Sequence, residues 1–528
     1  MTTPTDKSFI PSPQQAAVID WVRTGSGSAF IEAVAGSGKT TTLIEALKET
    51  RGTVAFAAYN KKIVAEIKEK TAALNLGNQV KVGTFHSFGL NAWRRVYPSV
   101  KVDDKMKTQK TIEKFREIKI PRRLDAFVLK LVSLAKQRGL GLFGDISDRS
   151  LWHEIVDHFD LQYELETDSD LVDYADDDQG EVSVEAGIEM AIRTLKYHQQ
   201  LSSKLIDFDD MIYMPAITGI KIWQNDWVFV DEAQDTNPAR RALARKMMKT
   251  GGRSVWVGDR HQAIYGFTGA DSDAVDQIIN DFGCVQLPLT VTYRCPKSVV
   301  ASSQQFVSHI QAHESAPDGS VIEMMTADFS KADHLKTLTA HDAVLCRNTK
   351  PLVSMAYVMI RHGVACHVEG RDIGMGLVKL VNRYRVKSLD DLRDRLENFM
   401  EREVAKLIAK GKETQAEAVH DRVETIFTIM DSEPVAQSVE DLRRKIMSLF
   451  VDSDESAESA EKVKPTLTMS TVHKAKGREW GKVFILGWNT LMPSKWARQA
   501  WQKEQETNLQ YVAVTRAKSD LVFINGVK

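Results

Sequence analysis

The chain has 528 residues, with 70 Lys and Arg against 71 Asp and Glu and a formal net charge of −1. Hydrophobic residues make up 43% and charged residues 27%, which excludes a disordered or collagen-like chain and predicts three to four domain-sized units. The balanced charge carries no global nucleic-acid signature, so a nucleic acid would have to be held by a local basic groove.

The four cysteines, Cys284, Cys295, Cys346 and Cys366, form no CxxC pair and no zinc-finger spacing. They read as reduced thiols, which predicts a cytoplasmic protein. The polar start MTTPTDKSFI is not a signal peptide, and no run of about 18 apolar residues predicts a membrane span. A bacterial or viral source is the expectation.

The first strong element is SAFIEAVAGSGKTTTL, residues 28–43. An apolar strand runs into a glycine turn and then a helical pattern. This fits a phosphate-binding loop, except that Ala33 stands where the pattern has its first glycine. Backbone N–H groups of Ala35, Gly36, Ser37, Gly38 and Thr41 would cradle phosphates at a helix N-terminus. Lys39 would reach the β- and γ-phosphates of ATP, and Thr40 would hold Mg²⁺.

TVAFAAYN predicts a second strand. A composition shift follows over about 90–205. It opens with AWRRVYP and a basic helical stretch at 101–138, which reads equally as a phosphate-binding surface and as a solvated helix face. An acidic stretch at 164–181 with no Lys or Arg comes next. DWVFVDEAQDTN then predicts a buried strand with Asp231 and Glu232 at its C-terminal end, the edge where open α/β sheets bind ligands. By itself such a pair is a solvated turn. Behind a phosphate loop, Asp231 becomes a Mg²⁺ ligand and Glu232 the base for an attacking water.

SVWVGD predicts another strand, leading into VGDRHQAIYGFTGA. There Gln262, Tyr265 and Phe267 lie within six positions, and the two aromatics alone read as core under a loop. Arg294 in LTVTYRCP and Arg516 in YVAVTRAK each follow an apolar run. Alone they read as surface salt-bridge partners. DAVLCRN and KVFILGW are further strands. Residues 376–464 form a second charged helical region, ending in the solvated linker DSDESAESAEK. Strands alternating with helices predict parallel α/β sheets carrying two mainly helical insertions.

The ordered set EAVAGSGKT, GTFHSFG, VDEAQD, VGDRHQAIYGF, LTVTYR, STVHKAKGREW and YVAVTRA resembles superfamily 1 helicases of the UvrD/Rep type. HQAIYGF and NLQYVAVTRAK look closest to the branch containing the F-box DNA helicase. The resemblance implies two RecA-like domains with ATP in the cleft between them. The first would be 1–90 plus 206–278, with an insertion at 91–205. The second would be 279–375 plus 465–528, with an insertion at 376–464.

The resemblance also implies roles. Gln15 matches the glutamine that reads adenine, Tyr293 the aromatic that stacks on it, and Glu479 the acid near the ribose. Gln262 matches the γ-phosphate sensor, and Arg294 and Arg516 the arginines at the γ-phosphate. Asn60, Thr84, Phe85, His86, Tyr265, Phe267, Thr471 and His473 match contacts to single-stranded DNA, on whose bases aromatics stack without reading sequence. Asp207 in IDFDDMI matches a residue that supports loops.

Several positions depart from the family pattern. Arg260 and His261 replace two acids, Thr268 replaces an arginine, and Thr507 and Asn508 replace arginines before YVA. The implied function is an ATP-dependent DNA helicase acting on single strands and on single-strand/duplex junctions, moving 3′ to 5′. A loading or regulatory protein partner is expected at the insertions. The rival expectations are a translocase that displaces proteins, an ATP-switched binding module, and an RNA helicase.

Overall fold

The computed structural model describes residues 9–58, 60–117, 124–159, 161, 183–265, 273–384, 386–409, 413–451, 466–495, 497 and 499–527. They form two compact units, one of residues 1–33 and 38–289 and the other of residues 34–37 and 290–528.

The first unit is built on β1 (Ser28–Ala33), β2 (Val54–Ala57), β3 (Val80–Gly83), β6 (Asn225–Val230), β7 (Met248–Gly258) and β8 (Cys284–Leu289). The short pair β4 (Lys101–Val102) and β5 (Leu205–Ile206) stands apart from that sheet. The six strands run parallel in the order β3-β2-β6-β7-β1-β8. Their near-continuous apolar runs follow from burial on both faces. Ile31, Phe56, Phe229 and Val255 point into one core, while Phe30, Ala55, Val228 and Trp256 point into the other. The expected boundary at 278 falls short of this sheet, because Cys284–Leu289 pairs with Ser28–Ala33.

Helices Asp104–Glu117, Asp125–Arg138, Arg149–Phe159 and Val184–Leu201 close over a separate core that includes Phe127, Trp152, Ile188 and Leu195. Here the basic stretch departs from a simple surface reading. Lys107 and Lys136 are each 1% exposed. Lys136 pairs with Asp207 at 2.6 Å and Asp210 at 2.7 Å, and Lys107 pairs with both carboxylates as well. Burial alone would raise the Asp207 carboxyl, but the two ammonium groups overrule it and hold it well below the usual range. Asp207 also caps helix Phe208–Ile217 through a capping box with Asp210.

That helix lies directly against Phe85–Val96. A Cβ on Gly89 would stand 1.9 Å from the Met211 carbonyl oxygen, so only glycine allows so close an approach.

The second unit holds β9 (Val291–Thr292) paired with β10 (Gln311–Ala312), and a seven-stranded parallel sheet. Its strands are β11 (Ser320–Met325), β12 (Ala343–Cys346), β13 (Cys366–Glu369), β14 (Phe450–Val451), β15 (Leu467–Thr471), β16 (Trp480–Leu486) and β17 (Ala517–Asn525). They lie in the order β11-β17-β16-β12-β15-β13-β14. Helices Leu389–Ala409, Glu413–Asp431 and Val439–Leu449 share its core through Leu392, Ile426 and Ile446. Among the described residues, no helix is long and apolar enough to cross a membrane.

Candidate active site and nucleic-acid interface

In the first unit, β1, β6 and β7 are neighbours, so their C-terminal ends bring three loops to one edge of the sheet. After β1 the chain turns through Gly36 and Gly38, at φ +74° and +78°, a region that favours glycine. Gly38 is the N-cap of helix Lys39–Leu47 and supplies no side-chain cap. The start of that helix therefore presents main-chain N–H groups of the kind that hold phosphate. Thr40 is half-buried here and Thr41 is exposed.

After β6, Asp231 is buried and Glu232 takes a left-handed backbone, φ 51° and ψ 46°. A non-glycine residue in that region costs of order 1 kcal/mol and persists where its surroundings impose it. The Glu232 N–H donates to Asp231 Oδ1 at 2.9 Å. Burial and the like charge of Glu232 push the Asp231 carboxyl up to about 7, and Lys39 opposes them only in part. Lys39 Nζ lies 3.7 Å from Glu232 Oε1, and Gln234 Nε2 donates to Glu232 Oε2 at 2.5 Å.

The Gln234 side-chain oxygen Oε1 then accepts the Asp259 N–H at 3.1 Å. Gln262 Nε2 donates to Asp259 Oδ2 at 2.7 Å. Lys39, Glu232, Gln234, Asp259 and Gln262 thus form one polar chain running from the loop after β1, through the loop after β6, to that after β7. The phosphate-loop pattern and the acids after an apolar strand exposed Lys39 and Glu232, and the family resemblance pointed to Gln262. Gln234 and Asp259 were missed, although both stand inside the quoted segments VDEAQD and VGDRHQ.

Arg260, which stands where the family pattern has an acid, has its own anchor. It grips Glu32 of β1 through two bonds, 2.7 and 3.0 Å, and reaches Asp276 at 3.3 Å. Gln15 is buried, and its side-chain oxygen accepts the Ser12 N–H at 3.0 Å in the capping box of helix Pro13–Thr24.

In the second unit, Tyr293 is 45% exposed beside the His313 ring, with centroids 4.8 Å apart. Arg294 Nε donates to Glu479 Oε2 at 2.5 Å, and Lys518 lies 3.5 Å from the same carboxylate. Arg516 is 1% exposed and donates to the carbonyls of Val512 and Arg478 at 2.9 and 3.1 Å.

The residues matched to DNA contacts divide by environment. Asn60 and Thr84 are N-caps, accepting from Ile63 N at 2.9 Å and Ser87 N at 3.2 Å. Phe85 is buried in the core, where it anchors the first turn of its helix. His86 is half-buried and meets the exposed Phe208 edge to face, with centroids 6.2 Å apart. Phe208 went unnoticed because IDFDDMI drew attention to its aspartates. In the second unit Thr471 is buried and His473 is half-buried. Tyr265 is half-buried, while Phe267 and Thr268 lie outside the described residues.

Residues 13–283 match the model of the UvrD/REP helicase N-terminal domain, more than half of the chain, and residues 466–524 match that of the UvrD-like helicase C-terminal domain. The chain belongs to the UvrD/REP helicase family. It is 26% identical over 310 residues to the ATP-dependent DNA helicase PcrA of Staphylococcus aureus (strain Mu50), covering 54% of this chain and 39% of that protein. Against the PcrA of Staphylococcus epidermidis (strain RP62A) the identity is 26% over 309 residues, with the same coverage. The chain therefore spans about two fifths of the length of these relatives.

Two histidines of this UvrD/REP-family chain make its stability pH-dependent. Burial, aided by the Arg240 cation, pushes His86 down to about 4, and burial with Arg347 pushes His473 down to about 3. Both are neutral when folded, whereas the unfolded chain binds their protons near 6.5. Their contribution is complete above about 6.5 and is lost as pH falls toward the folded values. At pH 5 the expected loss is up to about 2 kcal/mol per histidine. Urea midpoints at pH 7.5 and 5.0, compared with those of His86→Gln and His473→Gln, check this. Each variant should lose its share of the pH difference.

Proposed function

We propose that this chain hydrolyses ATP to move along single-stranded DNA, 3′ to 5′, and opens duplex DNA at single-strand/duplex junctions in replication, repair or recombination. The observation that carries this reading is the polar chain from Lys39 through Glu232, Gln234 and Asp259 to Gln262, three residues before Tyr265. It joins residues suited to a triphosphate to a segment suited to a base. The naming of the PcrA relatives as ATP-dependent DNA helicases supports it.

In this reading the loop after β1 holds the phosphates, and Lys39 neutralises their charge. Gln234 fixes one Glu232 oxygen and turns the other toward Lys39. Glu232 takes the proton of the attacking water. A buried carboxyl only partly compensated by Lys39, together with the Thr40 hydroxyl, fits Mg²⁺, which takes few protein oxygens and keeps its waters. Bound there, Mg²⁺ supplies charge that stabilises the phosphates during transfer. The roles of Gln15, Tyr293 and Glu479 toward adenine and ribose, and of Arg294 and Arg516 toward the γ-phosphate, belong to the same proposal. So do two RecA-like modules, the first reaching Leu289, with helical insertions at about 91–205 and 376–464, and a cytoplasmic setting.

The test is steady-state ATP hydrolysis with and without single-stranded DNA, alongside Lys39→Ala. Strong stimulation by DNA and its abolition by Lys39→Ala are expected. Turnover indifferent to DNA would overturn the reading. Strand displacement on a partial duplex, beside displacement of streptavidin from a biotinylated strand, separates unwinding from protein displacement.

A further inference from the structure

β3 is the last strand of its sheet and pairs on one side only, with β2. The Val54 and Ala58 N–H groups donate to the Gln79 and Gly83 carbonyls, at 3.0 and 2.9 Å. Strand alternation then turns the main-chain groups of Val80 and Val82 to the open side. The Val80 N–H is already used, on the Leu76 carbonyl at 2.9 Å. What faces outward is the Val80 carbonyl and the Val82 N–H and carbonyl, an edge that another strand can extend.

A cleft of about 650 Å³ lies over this edge. Helices Lys61–Ala73 and Phe85–Val96 wall it, with Ile222 and Trp223 at one end. Lys68, Lys81 and Arg95 line it and no Asp or Glu does. Among the described residues, none of these three cations forms an ion pair. Trp223 is 49% exposed, with Lys81 Nζ 4.0 Å and the Arg95 guanidinium 5.4 Å from its ring.

We infer that this cleft binds an extended acidic peptide segment of a partner protein, which joins the sheet beside β3. The edge offers both donors and acceptors, which suits another main chain. A phosphate backbone uses donors only and is repelled by the carbonyls. Lys81 and Arg95 already lie over the Trp223 ring, where a stacking base needs an open π-face. The cations answer carboxylates on the incoming strand. The cleft is built from the edge and flanks of the sheet and uses none of the residues assigned above to ATP or single-stranded DNA.

The test is fluorescence anisotropy of the full chain with a labelled short peptide of alternating glutamate and valine. Controls are the lysine/valine peptide, the acidic peptide N-methylated on one edge, and labelled oligo-dT. Expected are salt-sensitive binding of the acidic peptide but not of the lysine/valine peptide, its loss on N-methylation, weakening by about tenfold or more in Lys81→Glu/Arg95→Glu, and oligo-dT binding that these substitutions leave unchanged. Both substitutions are at exposed positions, and unchanged thermal unfolding and DNA-stimulated ATP hydrolysis show that the fold and motor are intact. The inference fails if the acidic peptide does not bind, if N-methylation or charge reversal leaves its binding unchanged, or if the charge-reversed chain loses oligo-dT binding instead. That last outcome would reassign the cleft to nucleic acid.

Discussion

Replacing Glu232 by glutamine is expected to lower kcat for ATP hydrolysis by about 10²–10⁴-fold, the range for loss of a positioned general base. The glutamine carbonyl can still accept from Gln234 Nε2, so the local geometry survives while the proton acceptor does not. Nucleotide affinity should change little. It should even rise slightly, because a neutral amide beside Asp231 removes one negative charge from the place where phosphates bind. Single-turnover hydrolysis, set beside equilibrium binding of a fluorescent ATP analogue, separates the two effects. A kcat within a few-fold of the parent would show that another group takes the proton.

The second large effect is on stability. Lys136→Met keeps the unbranched stem of the side chain as far as Cε and removes the charged Nζ, leaving Asp207 and Asp210 to share Lys107 in a buried site. Breaking a buried ion pair on one side costs about 3–5 kcal/mol, most of it for the unpaired partner. The check is urea unfolding of Lys136→Met against Lys130→Met, a lysine of the same helix that is not fully buried. The lysine-to-methionine change at 130 should cost under about 1 kcal/mol. Near-equal losses would mean that the cluster is hydrated and contributes little.

The strands were legible because a parallel sheet covered on both faces writes an unbroken apolar run, as in Trp227–Val230 and Val255–Val257. The glycines of the phosphate loop and the acids after β6 were legible because their chemistry needs fixed spacing. Other features left no local mark. β14 is two residues long and pairs with β13, some eighty positions upstream, so no periodicity announces it. Lys107 and Lys136 read as ordinary surface charges, since burial of a lysine depends on partners that the chain delivers only at 207 and 210. A still longer separation, 228 positions, hid the grip of Arg260 on Glu32. Gln234 and Asp259 were in plain view, but a hydrogen-bonded intermediary has no spacing rule of its own.

The contact of Gly89 with the Met211 carbonyl has a further consequence. His86 and Phe208 ride on the first turns of the two helices that meet there. Their separation is gauged by main chain touching main chain, with no side chain between to serve as a shim. Substitutions elsewhere on either helix can change what the two rings touch, while the spacing of the two backbones that carry them stays set at Gly89. A ligand that needs the two helix backbones themselves farther apart has to displace one whole helix, and with it the aspartate cluster at residues 207–210.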